Sequence, residues 1–585
     1  MLRINNYTTI EEYREQMKQA RKDTEPGRIY FDGSPLGSGK STRNAKHVQS
    51  YKSSRTLVKT HVAAAETLRT YEKAGVERVA AYPKLSRDNC ELYAAAYKVQ
   101  SLGMNVGAGV CTGCSYKGTC EYQRLIHKAE QAPHQILSHD RGRVRPVTLS
   151  SSKLIIIEED ATNFLRPKFD ASSGFGTVMA IASLAISDAT NMEQRQACEQ
   201  IHRVAVDYQN LLQSQAKAQE LGVPIPILKP DGLEKLLCDC LPRHISGFAL
   251  KIVLGAVFGG WNRIVLTSDD LPDNDRARRE SDSRILTVGA TELPEDAAVW
   301  ITDATGSYSQ LSSILPGIEN RTPQAKIQLQ HSIQQVPVDV CKHSSKVADV
   351  SKLLKRLLTQ YCQGERVGLI THREFLPDTL DLTDDERSQI VMSSYFGAGD
   401  VIGSNNWYVA CDKLVILGTP RPAPRDVKSR AIQVAQSDSC HVRKAMSFGP
   451  YTWKGETADG RKAKIVALGY KDEGWKLTAQ EFVQGQLNQA AGRGRGFLKD
   501  GIPVILVTTE PMGCPLLELP QRPKKLQPVF EAIWDGLDNV SDICQRTGQS
   551  ESTVKRHVVE LKERGEIFRE SKRRRILISP PAPPT

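Results

Sequence analysis

Short, nearly unbroken apolar runs punctuate the chain, and stretches with helical spacing lie between them. Ile29-Tyr30-Phe31 is the first run; Arg55-Thr56-Leu57-Val58-Lys59-Thr60 reads as a second strand and leads into an Ala-rich helix from Ala63 to Lys73. Lys153-Leu154-Ile155-Ile156-Ile157 is apolar without alternation, the pattern of a strand covered on both faces. Strand signal returns at Ala298–Thr302, Val367–Thr371, Lys413–Leu417 and Pro503–Val507. Strands separated by helices predict parallel α/β sheets. From about Leu165 to Arg284 helical stretches such as Glu193–Gln219 and Leu233–Leu241 dominate, which predicts a largely helical insertion. Ahead of the first strand, Asn5 to Lys22 reads as a polar helix.

The same pattern orders the domains. An N-terminal helix occupies 1–27, and a first α/β domain runs over 28–164 and returns at 285–325. It is interrupted by a cysteine-bearing stretch at 90–120 and by the helical insertion at 165–284. A second α/β domain spans 326–514, a Pro-rich linker 515–528, a small C-terminal domain 529–579, and a Pro-rich tail expected to be disordered 580–585. At 585 residues the chain exceeds a single core, and about three to five folding units are expected. No run approaches the roughly 18 apolar residues of a membrane span, and no charged-then-apolar leader opens the sequence. A cytoplasmic protein without a membrane partner is expected. With 78 Lys+Arg against 67 Asp+Glu, the net charge of +11 permits a polyanionic partner without requiring one. Thirteen cysteines without a leader predict reduced thiols or metal ligands rather than disulfides.

The stretch that carries chemistry is Ser34-Pro35-Leu36-Gly37-Ser38-Gly39-Lys40-Ser41, with Thr42 after it, set between a strand and a helix start. That is the context of a phosphate-binding P-loop. Gly37 and Gly39 would let backbone N–H groups turn onto phosphate oxygens. Lys40 would reach the β/γ-phosphates, Ser41 would ligate Mg²⁺, and the helix N-terminus adds its dipole. Ser34 stands where the first glycine of the pattern is usual. A second element is Ile155-Ile156-Ile157-Glu158-Glu159-Asp160, a buried strand ending in adjacent carboxylates. An ATPase needs one carboxylate for Mg²⁺ and another for the attacking water; a solvated acidic turn is the plain alternative.

Cys90, Cys111, Cys114 and Cys120 are separated by twenty, two and five residues. Four thiolates can hold a [4Fe–4S] cluster or zinc. Zinc ribbons use two close pairs, so the spacing favours the cluster and leaves zinc as the alternative. In the C-terminal domain, Val529–Leu537, Val540–Cys544 and Glu551–Arg564 read as helices, the last with Val554, Val558 and Leu561 on one stripe. Gly565–Phe568 and Arg575–Ile578 read as strands flanking Lys572, Arg573, Arg574 and Arg575. This predicts a winged helix-turn-helix, with Ser552, Thr553, Lys555 and Arg556 at the start of the recognition helix.

In their order, these elements resemble the superfamily 2 helicases, and within them the iron–sulfur XPD/DinG type, over about residues 28 to 510. Gln489-Ala490-Ala491-Gly492-Arg493-Gly494-Arg495 resembles the arginine element of the second lobe, with Arg493 as the finger and only Gly494 between the arginines. Thr302-Asp303-Ala304-Thr305-Gly306-Ser307 is similar to the element that couples hydrolysis to strand movement. Gly403-Ser404-Asn405 and Leu417-Gly418-Thr419-Pro420-Arg421-Pro422 are similar to elements along the DNA track. Pairing Glu159-Asp160-Ala161-Thr162 with the family's Asp-Glu-Ala-His box makes Glu159 the Mg²⁺ residue and Asp160 the base; pairing on strand length shifts these roles to Glu158 and Glu159. The resemblance implies two RecA-like domains with a cluster domain and a helical arch, ATP and Mg²⁺, and 5′-to-3′ movement on single-stranded DNA. The winged helix, which is not a standard part of that family, adds duplex DNA as an expected ligand, and replication or repair proteins are expected partners. Two other readings stay open: a winged-helix regulator or replication initiator whose ATPase is a switch without unwinding, and an RNA-dependent ATPase.

Overall fold

The alternation of apolar runs and helices becomes two parallel sheets. The computed structural model describes residues 7–101, 106–144, 149, 151–170, 176, 179–180, 182–183, 186–187, 192–218, 262–266, 284–288, 291–304, 306–342, 344–398, 401, 407–434, 448–471, 473–518, 524–535, 537, 539–563, 567–569 and 576–578. The chain divides into two units: 1–327 with 422–446, and 328–421 with 447–585.

The first unit begins with helix α1 (Ile10–Gln19). Its start is fixed by a capping box, in which the Thr9 hydroxyl accepts the Glu12 N–H at 3.2 Å and the Glu12 carboxylate accepts the Thr9 N–H at 3.0 Å. Ile10, Tyr13 and Met17 form its buried face. The strands that follow are β1 (Ile29–Asp32), β2 (Ser54–Val58), β3 (Val79–Ala81), β4 (His134–Ser138), β5 (Leu154–Glu158), β6 (Ala298–Thr302) and β7 (Glu319–Asn320). They form one sheet in the order β7-β1-β6-β5-β2-β4-β3, every pair parallel. Along β5, Ile155 and Ile157 join the core of one sheet face, while Leu154 and Ile156 join that of the other. This is why the run carries no polar alternation. Truncating any of these fully buried isoleucines to Ala would cost about 2–5 kcal/mol. Helices α2 (Lys40–Val48) and α3 (His61–Lys73) connect the first strands, and α4 (Glu121–Gln131) follows the cysteine stretch. The short helix α5 (Ala161–Leu165) follows β5.

Two expectations change here. The insertion is not only helical: beside the expected long helix, Met192–Ala218, Lys168–Asp170, Arg284–Val288 and Asn262–Leu266 form a three-stranded antiparallel sheet. Arg263-Ile264-Val265-Leu266 and Arg284-Ile285-Leu286-Thr287-Val288 carry the β-branched composition of strands. Leu233–Leu241 lies outside the described residues. The stretch 422–446, expected within the second domain, belongs to the first unit. Its helix Pro424–Val434 meets α5, and Gln433 Nε2 donates to Asn163 Oδ1 at 2.8 Å and to the Arg166 carbonyl at 2.7 Å.

The second unit carries β8 (Ile333–Val336), helix α6 (Val347–Tyr361), β9 (Val367–Thr371), β10 (Ile390–Tyr395), β11 (Lys413–Leu417), the hairpin β12 (Phe448–Glu456) and β13 (Lys462–Tyr470), helix α7 (Glu473–Ala491) and β14 (Val504–Val507). Its parallel sheet runs β8-β14-β11-β9-β10. The hairpin is anchored by its inward residues. Tyr451 donates to Glu510 Oε2 at 2.7 Å, and Trp453 Nε1 donates to the Thr509 carbonyl at 2.8 Å. Beyond the linker, α8 (Gln527–Trp534), α9 (Val540–Thr547) and α10 (Glu551–Glu563) share one apolar core that includes Val529, Ile533, Ile543, Val554 and Leu561. Two short strands, Ile567–Arg569 and Ile576–Ile578, pair antiparallel after them. The tail 580–585 lies outside the described residues.

Candidate nucleotide site

In the first unit the loop after β1 is shaped by its own backbone. Asp32 ends β1 almost fully buried, and its Oδ1 accepts the Ser34 N–H at 3.0 Å. Ser34 is buried and accepts the Tyr13 hydroxyl at 3.2 Å. Gly37 and Gly39 adopt φ of 81° and 97°, a region in which an L side chain is strained. Gly39 is the N-cap of α2, so the chain enters the helix with its first N–H groups turned toward the loop. Ser41 and Thr42 are exposed on the first turn, and the Ser38 hydroxyl is buried without a hydrogen-bond partner among the described residues. The Lys40 ammonium donates to the Ser34 carbonyl and, at 3.2 Å, to that of Pro35. Burial pushes this ammonium down from the usual lysine range, while Asp32, Asp303, Glu159 and Glu158 pull it back up. Four carboxylates therefore face one lysine.

The residues of the acidic turn take two different sets of contacts. Glu158 is the last residue of β5, in register with Thr302, which is itself in register with Asp32. Its Oε1 accepts Asn44 Nδ2 at 2.6 Å and its Oε2 accepts the Thr67 hydroxyl at 3.4 Å. Burial raises its carboxyl, against these hydrogen bonds and the charges of Lys40 and Arg21. Glu159 and Asp160 both take positive φ, 56° and 44°. Asp160 points elsewhere, 3.2 Å from Lys59 Nζ and 3.7 Å from Arg430 Nη1, and accepts Asn163 Nδ2 at 2.6 Å. Burial alone would raise it, yet Lys59, Arg430 and Asn163 hold it down at about 2. Of the acidic turn, Glu158 and Glu159 are grouped with Lys40, beside Asp32 and Asp303.

One contributor was missed in the sequence. Arg21, just beyond α1, is nearly fully buried; its Nη2 lies 3.3 Å from Asp32 Oδ2 and its Nη1 donates to Asn44 Oδ1 at 2.6 Å. Arg14 Nε reaches the Ser38 carbonyl at 3.1 Å. A cavity of about 950 Å³ opens beside the loop, lined by Arg14, Gly39, Thr42, Arg43, His47 and Tyr51 among others. The signal was present: Arg14, Lys18 and Arg21 recur at helical spacing of four and three.

The remaining predicted residues lie as follows. In the second unit, Gln489 is partly exposed near the end of α7. Arg493 follows in a tight turn, 5 % exposed, its Nε donating to the Val401 carbonyl at 2.6 Å. Arg495 is partly exposed at φ 50°. Arg421 pairs with Asp339 at 2.8 Å, next to Glu510 at 3.9 Å. Gly403-Ser404-Asn405 and Thr305 fall outside the described residues.

All four cysteines of the 90–120 stretch are free and partly exposed. Among the described residues no group of three or more His, Cys, Asp or Glu side chains stands in a metal-holding arrangement. The four thiols are nevertheless neighbours. Burial raises Cys90, and Cys120, Cys111 and Cys114 add to that rise. The Cys90 sulfur accepts the Leu92 N–H, and the Cys111 sulfur accepts Gln123 Nε2 at 3.3 Å. Thiol sulfur is by its chemistry a soft donor, the type that iron–sulfur clusters and zinc take.

In the C-terminal domain Ser552, Lys555 and Arg556 are exposed at the start of α10, and Thr553 partly so, with its N–H donated to Ser550 Oγ at 3.3 Å. Lys572, Arg573, Arg574 and Arg575 lie outside the described residues. No described helix is long and apolar enough to cross a membrane.

No family model and no curated protein matches the sequence. Among solved structures, an XPD helicase is similar over 86% of this chain and 95% of its own, with TM-score 0.44 and 14% identity. S. tokodaii Xpd4 is similar over 86% and 96%, with TM-score 0.45 and 12% identity. The Escherichia coli DEAH/RHA helicase HrpB is similar over 94% of this chain and 50% of its own, with TM-score 0.33 and 10% identity. In structure, this chain is similar to the XPD helicases.

Proposed function

We propose that the chain is an ATP-dependent DNA helicase of the iron–sulfur XPD/DinG type. The observation that carries this reading is the grouping of Lys40 with Asp32, Glu158, Glu159 and Asp303. These carboxylates stand at the C-terminal ends of the adjacent parallel strands β1, β5 and β6, where α/β sheets bind ligands. Lys40 and the first N–H groups of α2 hold the β/γ-phosphates, with Ser34, Gly37, Ser38 and Gly39 shaping the loop and Thr42 beside it. The cavity next to α1 takes the nucleoside. Ser41 and Glu158 would hold Mg²⁺, which supplies charge neutralisation at the phosphoryl oxygens. Glu159 orients the attacking water and accepts its proton. Asp160 acts as a structural anchor. By the resemblance, Arg493 is the arginine finger, while Arg495 contacts Gln489 or nucleic acid instead.

Cys90, Cys111, Cys114 and Cys120 would hold a [4Fe–4S] cluster, with zinc as the alternative occupant. The three helices and strand pair of residues 524–578 support a winged helix that contacts duplex DNA through Ser552, Thr553, Lys555, Arg556 and the basic residues 572–575. The test is ATP hydrolysis by the full chain with single-stranded DNA or RNA, and strand displacement on a tailed duplex. DNA-stimulated hydrolysis that Lys40→Ala abolishes, together with unwinding from a 5′ tail, is expected. Stimulation by RNA alone would replace DNA as the substrate, and hydrolysis without displacement would favour the regulatory switch.

A further inference from the structure

The nucleotide site is wired to the N-terminal segment through one side-chain amide. Asn44 is fully buried on α2. Arg21 Nη1 donates to its Oδ1 at 2.6 Å, and its Nδ2 lies 2.6 Å from Glu158 Oε1 and 3.2 Å from Thr302 Oγ1. A guanidinium carries donors only, so the atom of Asn44 that meets Arg21 must be the amide oxygen. The amide nitrogen is thereby turned onto Glu158. A group that can only donate is matched there by a carboxylate that can only accept. Arg21 is itself immobilised, its guanidinium 4.6 Å over the Trp300 ring, and Trp300 stacks on Tyr30 at 4.9 Å.

We infer that Arg21 and Asn44 are positioning residues that hold the Glu158 carboxylate in a single orientation toward the nucleotide. This rests on the role proposed above for Glu158. The need for such a device is physical, because a carboxylate serves a site only when hydrogen bonds from its neighbours fix its orientation. The groups that face it are Lys40 and Asn44 from α2, Thr67 and Tyr71 from α3, and Arg21; Asp32, Glu159 and Asp303 share Lys40 with it. Asn44 supplies the shortest hydrogen bond in this shell, and Arg21 fixes which way it points.

The decisive variant is Asn44→Asp. It conserves shape and keeps a partner for Arg21, but sets an acceptor against Glu158. In steady-state ATP hydrolysis by the full chain, kcat should fall about 10- to 100-fold, as for other outer-shell partners. KM for ATP should stay within about twofold. Arg21→Lys should lower kcat in the same way but by less, again with KM nearly unchanged. A thermal-unfolding cycle supplies a second readout: Glu158→Gln can donate to Asp at position 44, so Asn44→Asp with Glu158→Gln should melt above Asn44→Asp alone. An unchanged kcat, or a double variant that melts no higher than the single one, overturns the inference. If the wild-type chain hydrolyses no ATP, the proposed function fails instead, and the unfolding cycle still decides whether this network orients Glu158.

Discussion

Asp160 Oδ2 lies 3.2 Å from Lys59 Nζ, and this contact removes the third carboxylate of the acidic turn from the group around Lys40. Asp160→Asn should therefore lower stability by about 1 kcal/mol, the scale of a partly exposed ion pair, with little change in kcat. Glu159→Gln should lower kcat by about 10²–10⁴, the range for losing a general base, while nucleotide binding persists. Urea unfolding and ATP turnover on the two variants separate these roles. The reverse pattern would restore Asp160 as the base.

Metal content tests the cysteines. Protein purified without oxygen should be brown and hold about four irons per chain. Cys111→Ser or Cys114→Ser should bleach it, since an oxygen ligand suits the soft core poorly. Nucleotide binding should survive, because the P-loop belongs to a separate strand–helix unit. One zinc without iron would keep the ligands and change the metal; neither metal would demote the four thiols to packing.

Buried histidines set the acid stability. Burial lowers His139 and His372 to about 4 and His47 to about 3. Each stays neutral in the folded chain while the unfolded chain protonates it near pH 6.5. Stability is fully present above about pH 6.5 and falls toward pH 4, with a slope of up to about 1.4 kcal/mol per pH unit for each group. Urea midpoints at pH 7 and pH 5 should differ accordingly, and His139→Gln should reduce the difference.

The C-terminal domain has its own apolar core, so removing residues 523–585 should leave ATP hydrolysis and single-strand binding intact. Duplex affinity should drop, and neutralising Lys572–Arg575 should flatten its salt dependence by roughly 0.9 per lost phosphate contact. Unchanged duplex binding would point to a protein-docking role for this domain.

What the sequence made legible was whatever local pattern alone decides. Ile155-Ile156-Ile157 had to be a central strand because both faces are covered, and Gly37 and Gly39 take the positive φ that a phosphate loop demands. The hairpin β12–β13 was overlooked, although Tyr451, Trp453, Ile465 and Ala467 alternate with outward residues around a turn holding Asp459-Gly460. The spacing of Arg14, Lys18 and Arg21 marked a basic face but not which of the three is buried. That is decided only when the fold brings Asp32, Asn44 and Trp300 around Arg21. The separate duty of Asp160 depends likewise on Arg430, some 270 residues further along the chain.

The helix Pro424–Val434 has a practical consequence for dissecting this protein. It supplies Ser429 to Lys168 at 2.8 Å, Gln433 to Asn163 and Arg166, and the Val434 carbonyl to Ser313 at 3.0 Å. A fragment ending near residue 327 would thus carry the whole P-loop and acidic turn yet leave these polar groups without their partners. Co-expressing residues 1–327 with a separate 422–446 peptide, or permuting the gene so that the two stretches become contiguous, is the way to obtain this half as a stable piece. Simple truncation would instead strip Lys168, Asn163, Arg166 and Ser313 of these contacts.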